Sequence, residues 1–144
     1  KGLPWRIAVD KPVIADVNGG RPLQAILEVN NASVCTSGNY RKFKEIDGVR
    51  VSHTIDPRTG YPAYNGLLSV TIQAGSAAIA DAYATACMVL GPEEGRVFID
   101  RMRQVKSGIP IEALFIIDRG VDSTLDEPFE FWATDGWKEA IIWL

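Results

Sequence analysis

The sequence predicts an α+β domain in which helices pack on one face of a mainly antiparallel sheet. Short β patterns bounded by Gly, Pro, Asn and Asp recur along most of the chain. The helical patterns instead form one block, between residues 76 and 103, and do not alternate with the strands. A length of 144 residues is ordinary for one domain with its own apolar core. We therefore expect residues 1–144 to form a single domain.

The first third of the chain contains two β patterns separated by a loop. The apolar residues of "WRIAVD" (residues 5–10) occupy alternate positions, which is the period of a half-buried strand. The stretch "PVIADVNGGRP" (12–22) is predicted to be a loop, because an Asn-Gly-Gly step and two prolines interrupt it. "LQAILEVNNASVCT" (23–36) then resumes the β pattern.

A hairpin and a further strand follow. "YRKFKEIDGVRVSHTID" (40–56) has β patterns on both sides of Asp47-Gly48, a step that favours a type I′ turn. "GLLSVTIQA" (66–74) is rich in β-branched residues and predicts another strand.

The helical block divides into two parts. Ser76 is suited to cap the alanine-rich run "AAIADAYATACMVL" (77–90), and Gly91 is suited to end it. Pro92, followed by two acidic residues, is typical of a helix start and predicts a second helix to about Arg103. The sequence thus predicts two helices that meet at one short corner.

The C-terminal part returns to β structure. "EALFIID" (112–118) and "FEFWAT" (129–134) predict two strands separated by an acidic, turn-rich connection. "DGWKEAIIWL" (135–144) is compatible with either a helix or a strand.

Composition excludes several classes of function. Fifteen basic and eighteen acidic residues give a net charge of -3, and no Lys/Arg block is present that could follow a phosphate backbone, so nucleic acid is not expected as a partner. No apolar run approaches the roughly 20 residues that span a bilayer. Cys35 and Cys87 are too few for a disulfide framework and are expected to be small buried hydrophobes.

Asp81 and Thr85 form a candidate metal site in the first helix. Their spacing of four residues places both side chains on one face, one turn apart. A carboxylate and a hydroxyl are hard oxygen donors, which suits Mg²⁺ bound jointly by protein and substrate phosphate. Alternatively, Asp81 is a solvated residue favoured by the helix dipole and Thr85 contacts a neighbour. The spacing alone favours this second interpretation, because such pairs are common on helices.

The step Thr36-Ser37-Gly38 ends a β pattern and offers two hydroxyls and an open backbone amide. These groups can form an anion-binding nest, although such steps also make ordinary turns.

The stretch "VSHTIDPRTGYP" (51–62) contains the chain's one histidine. His53 is a candidate general acid or base, and Asp56, Arg58 and Thr59 could orient it or hold a phosphate. An equally good interpretation is a hydrogen-bonded histidine at a strand end, with Asp-Pro and Thr-Gly as turn residues.

Taken together, the motifs resemble a known family. "TSGNY", "HTIDPRTGYP" and "DAYATACMVLG", in this order and at these intervals, closely resemble the C-terminal half of the ApbE family, the FAD:protein FMN transferases. "GLPWRIAVDKP" and "ATDGW" are similar to further landmarks of that family. The resemblance extends over essentially the whole chain, and the family's T-fold-like architecture agrees with the α+β prediction.

The resemblance implies a reaction. Family members transfer the FMN half of FAD to a threonine hydroxyl of a target protein and release AMP, in a Mg²⁺-dependent reaction. Some members instead hydrolyse FAD to FMN and AMP. A truncated, non-catalytic flavin-binding module is the third possibility.

It also implies residue roles. Asp81 and Thr85 match metal ligands, and His53 is the candidate for assisting proton transfer from the acceptor hydroxyl. The residues expected to contact the flavin nucleotide are Thr36, Ser37, Gly38, His53, Asp56, Thr59 and Gly60. Tyr40 could pack on the ligand, but a core or surface role fits it equally well.

The chain departs from the family in its extent. The resemblance covers only the family's C-terminal half, and "KGLPWRIAVD" has no initiator Met, so we expect a fragment or a processed product of a longer protein. We expect it to pair with the absent N-terminal half or to self-associate, and to have weak or no activity alone. By analogy alone, the full-length protein is expected on the periplasmic side of the bacterial inner membrane, held there by a lipid anchor.

Overall fold

The computed structural model describes residues 2–12, 20–40, 43–46, 49–105, 108–120 and 128–144. In these ranges the helices are α1 (Ala77–Gln104) and α2 (Asp135–Lys138). The strands are β1 (Trp5–Asp10), β2 (Leu23–Val29), β3 (Ser33–Gly38), β4 (Phe43–Ile46), β5 (Val49–Ser52), β6 (Ile55–Asp56), β7 (Tyr61–Pro62), β8 (Leu67–Ala74), β9 (Glu112–Asp118), β10 (Phe129–Ala133) and β11 (Ile141–Trp143).

A four-stranded antiparallel sheet in the order β10-β9-β8-β3 forms the centre of the fold. Its middle strands β8 and β9 are largely buried on both faces, and residues 112–117 are all buried. Strands buried on both faces read as continuous apolar runs, which explains why "ALFII" shows no alternation. The sheet therefore needs a covering layer on each side.

Helix α1 covers one face of this sheet and contacts mainly β3 and β8. The fully buried Phe115 is central to this core: its ring stacks edge-on against Trp132, with centroids 4.9 Å apart. A Cβ on Gly95 would lie 3.1 Å from the Phe115 ring, so the small residue lets the helix approach the sheet closely. Other buried residues of this core are Leu67, Val70, Ile72, Ala74, Ala80, Ala84, Cys87, Met88, Ile99, Ile111, Ala113 and Ile117.

A second antiparallel sheet, in the order β1-β2-β11, lies on the opposite side of the β9 core. Alternate residues of β9 face this layer, where Leu114 and Ile116 pack with Leu27 of β2 and Trp137 of α2. Burying an aliphatic or aromatic side chain of this size contributes about 1.5–3 kcal/mol. The central sheet is thus held between a helical layer and a β layer.

The predicted α+β class, with antiparallel strands and a block of helices, is confirmed. Ser76 caps α1, its Oγ accepting a hydrogen bond from the Ile79 amide at 3.3 Å. Gly91 interrupts the helix with φ 84° and ψ 179°, so the predicted corner is present. The C-terminal ten residues contain both a short helix, α2, and a strand, β11.

Two expectations fall partly outside the described residues. Strands β4 and β5 pair antiparallel as the hairpin prediction requires, but its turn at Asp47-Gly48 is outside the described ranges. Most of the predicted loop 12–22 is also outside them.

The two cysteines differ in their burial. Both cysteines are free; Cys87 is buried, which raises the pKa of its thiol to about 12, whereas Cys35 is only half-buried. Within the described ranges, no helix combines the length and the apolar composition needed to cross a membrane.

Candidate functional site

A cleft of about 650 Å³ lies where the C-terminal ends of β1 and β3 meet α1 and the segment around His53. Polar groups from four distant parts of the sequence converge on it. Its lining residues are Ala8, Val9, Asp10, Thr36, Ser37, Gly38, Tyr40, His53, Thr54, Ile55, Thr85 and Val89. Five of the residues predicted from sequence, Thr36, Ser37, Gly38, His53 and Thr85, are among them.

Strand β3 supplies one wall of the cleft, the β3 wall, which consists of Thr36, Ser37 and Gly38. Thr36 pairs with Thr71 across β3 and β8, and their hydroxyl oxygens are 2.8 Å apart. A Cβ on Gly38 would lie 2.9 Å from the Tyr40 ring and 3.1 Å from the Leu68 carbonyl oxygen. A side chain at position 38 would therefore displace the Tyr40 ring from its place beside the strand end.

Tyr40 follows the end of β3 and lines the cleft. Partial burial raises the pKa of its phenol, and the positive charge of Arg21 opposes that rise. The sequence is compatible with Tyr40 packing on a ligand or having a core or surface role. The position of Tyr40 among the cleft residues favours packing on a ligand.

Helix α1 faces this wall through Thr85. The Oγ1 of Thr85 is 3.2 Å from the Oγ of Ser37, so the two hydroxyls meet across the helix–strand contact. Asp81 lies one helical turn earlier and is exposed, but it is not among the residues that line the cleft. Burial, and secondarily the Asp81 carboxylate, raise the pKa of the Cys35 thiol, so Asp81 lies near β3.

The oxygen donors on this face fit Mg²⁺ in their chemistry. Mg²⁺ keeps several waters and is bound by one or two carboxylates together with substrate phosphates, not by a full protein cage. The carboxylate of Asp81 and the hydroxyl of Thr85 match such a partial set. Among the described residues, no group of three or more His, Cys, Asp or Glu side chains could hold a metal ion.

A small hairpin formed by β6 and β7, here called the His53 hairpin, follows directly after His53. His53 is exposed, and its neighbours Thr54 and Ile55 also line the cleft. The hairpin is closed by a hydrogen bond from the Ala63 amide to the Thr54 carbonyl oxygen at 2.8 Å. The Thr54 amide also donates to the Ser52 Oγ at 3.1 Å.

Asp56, Thr59 and Gly60 stabilise the tip of this hairpin and do not line the cleft. Arg58 Nη2 donates to the Asp56 carboxylate at 2.8 Å, and the Arg58 amide donates to it at 2.9 Å. These bonds lower the pKa of Asp56. Thr59 Oγ1 accepts from the Tyr61 amide, and Gly60 has φ 75°, which favours glycine. A contact of these three with a nucleotide stays a prediction.

Sequence reasoning did not select the β1 side of the cleft. Ala8, Val9 and Asp10 line it, and the β1–β2 register shifts between Val9 and Asp10, where the strand reaches the cleft. The available signal was an acidic residue directly after an alternating strand, which is too common a pattern to identify a site.

Comparisons with known proteins agree with the motifs. The model of the ApbE family matches residues 1–109. A curated FAD:protein FMN transferase from Escherichia coli strain K12 is 37% identical over 142 residues, which are 99% of this chain and 36% of that protein. One from Vibrio cholerae is 47% identical over 94 residues, covering 65% of this chain and 27% of that protein.

Solved structures show the same relationship. The apo form of the flavinyl transferase ApbE from Pseudomonas stutzeri is 36% identical, with a TM-score of 0.67 over 95% of this chain and 36% of that one. The apbe protein from Thermotoga maritima is 30% identical, with a TM-score of 0.71 over 96% of this chain and 38% of that one. The chain thus spans little more than a third of the length of these relatives. Its motifs, fold and sequence identity establish that the chain belongs to the ApbE family.

Proposed function

We propose that this chain forms the catalytic part of a Mg²⁺-dependent flavin transferase, which moves FMN from FAD to a threonine of a target protein and releases AMP. One observation carries the proposal: the Ser37 and Thr85 hydroxyls meet in the same cleft that His53 lines. Relatives named FAD:protein FMN transferase support the identity of the donor and the group transferred.

The reaction makes clear demands on the cleft. The threonine oxygen attacks the phosphorus on the FMN side of the pyrophosphate, and a new P–O bond forms. The bond from that phosphorus to the bridging oxygen breaks, and the bridging oxygen leaves with its electron pair on AMP. Charge builds on the non-bridging oxygens, so aimed donors accelerate the step chiefly by electrostatics and positioning.

The β3 wall can stabilise the charge that builds on the non-bridging phosphate oxygens. Thr36 and Ser37 can donate to phosphate oxygens, and Gly38 lets the nucleotide approach the backbone closely. When bound at Asp81 and Thr85, Mg²⁺ would neutralise part of the phosphate charge. A pyrophosphate held by β3 would then contact this metal-binding face of α1 as well.

The reaction also requires that the acceptor hydroxyl lose its proton, and His53 is the residue proposed to assist this step. A neutral imidazole that reaches this hydroxyl can accept the proton directly or orient the attacking oxygen. Its exposure on the cleft wall leaves it accessible to a protein substrate.

Product analysis tests the proposal. FAD, with and without Mg²⁺, and a peptide carrying an acceptor threonine are incubated with residues 1–144, and separately with a chimera in which these residues replace the matching segment of the Escherichia coli relative. Mass spectrometry resolves AMP, free FMN and flavinylated peptide. We expect Mg²⁺-dependent AMP together with flavinylated peptide from the chimera.

The other outcomes are equally informative. AMP with free FMN would replace the transferase by the hydrolase. A folded chimera that binds FAD but releases no AMP would leave only a flavin-binding module and would contradict the proposal. AMP from the chimera but not from residues 1–144 would agree with the expectation that the chain needs the N-terminal half. Lipid-anchored, periplasmic placement and self-association stay predictions from the resemblance.

A further inference from the structure

The side chain of Asn65 joins the His53 hairpin to the break in α1. The break at Gly91 leaves the last carbonyls of the first helical part without the usual helical partners. Asn65 Nδ2 donates to two of them, the Met88 oxygen at 3.0 Å and the Val89 oxygen at 3.4 Å. Asn65 is therefore a helix cap supplied by a segment more than twenty residues earlier in sequence.

Both the nitrogen and the oxygen of the Asn65 side-chain amide make hydrogen bonds. Its Oδ1 accepts a hydrogen bond from the Leu67 amide at 3.1 Å, which fixes the side chain at the start of β8. The seat is also tight, since a Cβ on Gly91 would lie 3.2 Å from both Cβ and Cγ of Asn65. Only a short side chain with donor and acceptor on one plane can make all of these contacts.

A second contact ties the same hairpin to the helix beyond the break. Arg58 Nη1 lies 3.5 Å from Glu94 Oε2. Their side chains are 57% and 63% exposed, so this ion pair contributes little by itself. Asn65 is the stronger of the two attachments.

The attachment leads directly to the cleft. Val89, whose carbonyl accepts from Asn65, lines the cleft one turn after Thr85. On the hairpin side, Ala63 is two residues before Asn65 and is hydrogen-bonded to Thr54, the neighbour of His53. We propose that Asn65 is a positioning residue, which fixes the His53 wall of the cleft against the Thr85 and Val89 face of α1. Its consequence for catalysis rests on the function proposed above.

The test introduces Asn65→Asp into the chimera described above. The aspartate side chain has the same shape as asparagine and still accepts a hydrogen bond from the Leu67 amide. The variant cannot donate to the two carbonyls, and its negative charge repels them. Because small displacements of catalytic groups reduce rates strongly, we expect kcat for AMP release to fall by about ten- to a hundredfold. KM for FAD should change little, since the β3 contacts are untouched. Tyr64→Ala is the matched control, because Tyr64 is adjacent and 88% exposed.

Amide hydrogen exchange supplies a readout that is independent of catalysis. In Asn65→Asp the amide of Ala63 should exchange faster, while amides of β9 keep their protection. Unchanged exchange at Ala63, or an unchanged kcat in an active protein, would overturn the proposal. Equal loss of protection in β9 would mean general destabilisation and would also overturn it. If the unaltered protein releases no AMP, the proposed function fails, while exchange still decides whether Asn65 holds the hairpin.

Discussion

At the scale of single residues, the cleft is a wall of hydroxyl groups faced by one imidazole. Thr36 and Ser37 belong to β3, Thr85 belongs to α1, and His53 belongs to a hairpin. The sequence motifs contain all four residues, and the structure brings them to one cleft. The three residues Asp56, Thr59 and Gly60 were selected with them, because turn-forming residues share the motif with His53.

Replacement of His53 by Ala tests its proposed role directly. If His53 assists proton removal from the acceptor, we expect transfer to fall by about 10²- to 10⁴-fold, whereas FAD binding stays unchanged. Rates from mass-resolved products and flavin fluorescence titration measure the two effects. Tyr64→Ala serves again as control, and a His53→Ala protein with unaltered turnover would remove His53 from the mechanism.

Arg58 lowers the pKa of Asp56, which leads to a pH prediction. In the folded protein the hydrogen bonds from Arg58 lower the pKa of Asp56. The ionised Asp56 therefore stabilises the fold at pH values above its unfolded pKa, and this stabilisation is lost as the pH falls through its folded pKa. In Arg58→Gln the folded pKa should rise towards the ordinary Asp value. NMR titration of the Asp56 carboxyl measures it; an unchanged titration curve would show that Arg58 is not the cause.

At the scale of elements, the break in α1 decides how helix and hairpin meet. The Gly91-Pro92 step made the break predictable, because glycine commonly ends helices and proline begins them. The capping by Asn65 was not predictable, since the partners are separated by more than twenty residues and no local pattern links them. Local signals locate a helix end, but they do not identify a distant group that satisfies it.

Substitution of Gly91 tests the conformation at the break. With φ 84° and ψ 179°, Gly91 occupies a region almost restricted to glycine, and a Cβ would crowd Asn65. We expect Gly91→Ala to lower the free energy of unfolding by about 1–3 kcal/mol, measured by urea denaturation. Gly20→Ala is the control, because no atom of the described residues other than its chain neighbours lies within 4 Å of its added Cβ. Equal stability of the two variants would contradict the assigned conformation.

At the scale of the whole molecule, the cleft depends on two layers that meet the central sheet. Helix α1 brings Thr85 to one side, and β1 of the second sheet brings Asp10 to another. The order of strands and helices followed from local periodicity. The division into separate sheets did not, because β11 pairs with β2 across most of the chain, and Ile141 opposite Leu27 is a relation that periodicity cannot reveal.

In the proposed function, the Asp81 face of α1 and the β3 wall together bind Mg²⁺ for pyrophosphate cleavage. The most direct test compares Asp81→Asn with Asp100→Asn in the chimera, since both carboxylates are exposed on α1. The dependence of AMP release on Mg²⁺ concentration is measured together with Mg²⁺ affinity by calorimetry. We predict that Asp81→Asn alone raises the half-maximal Mg²⁺ concentration by at least about tenfold, or about 1.4 kcal/mol. Identical Mg²⁺ dependence in both variants would contradict the proposed role of Asp81.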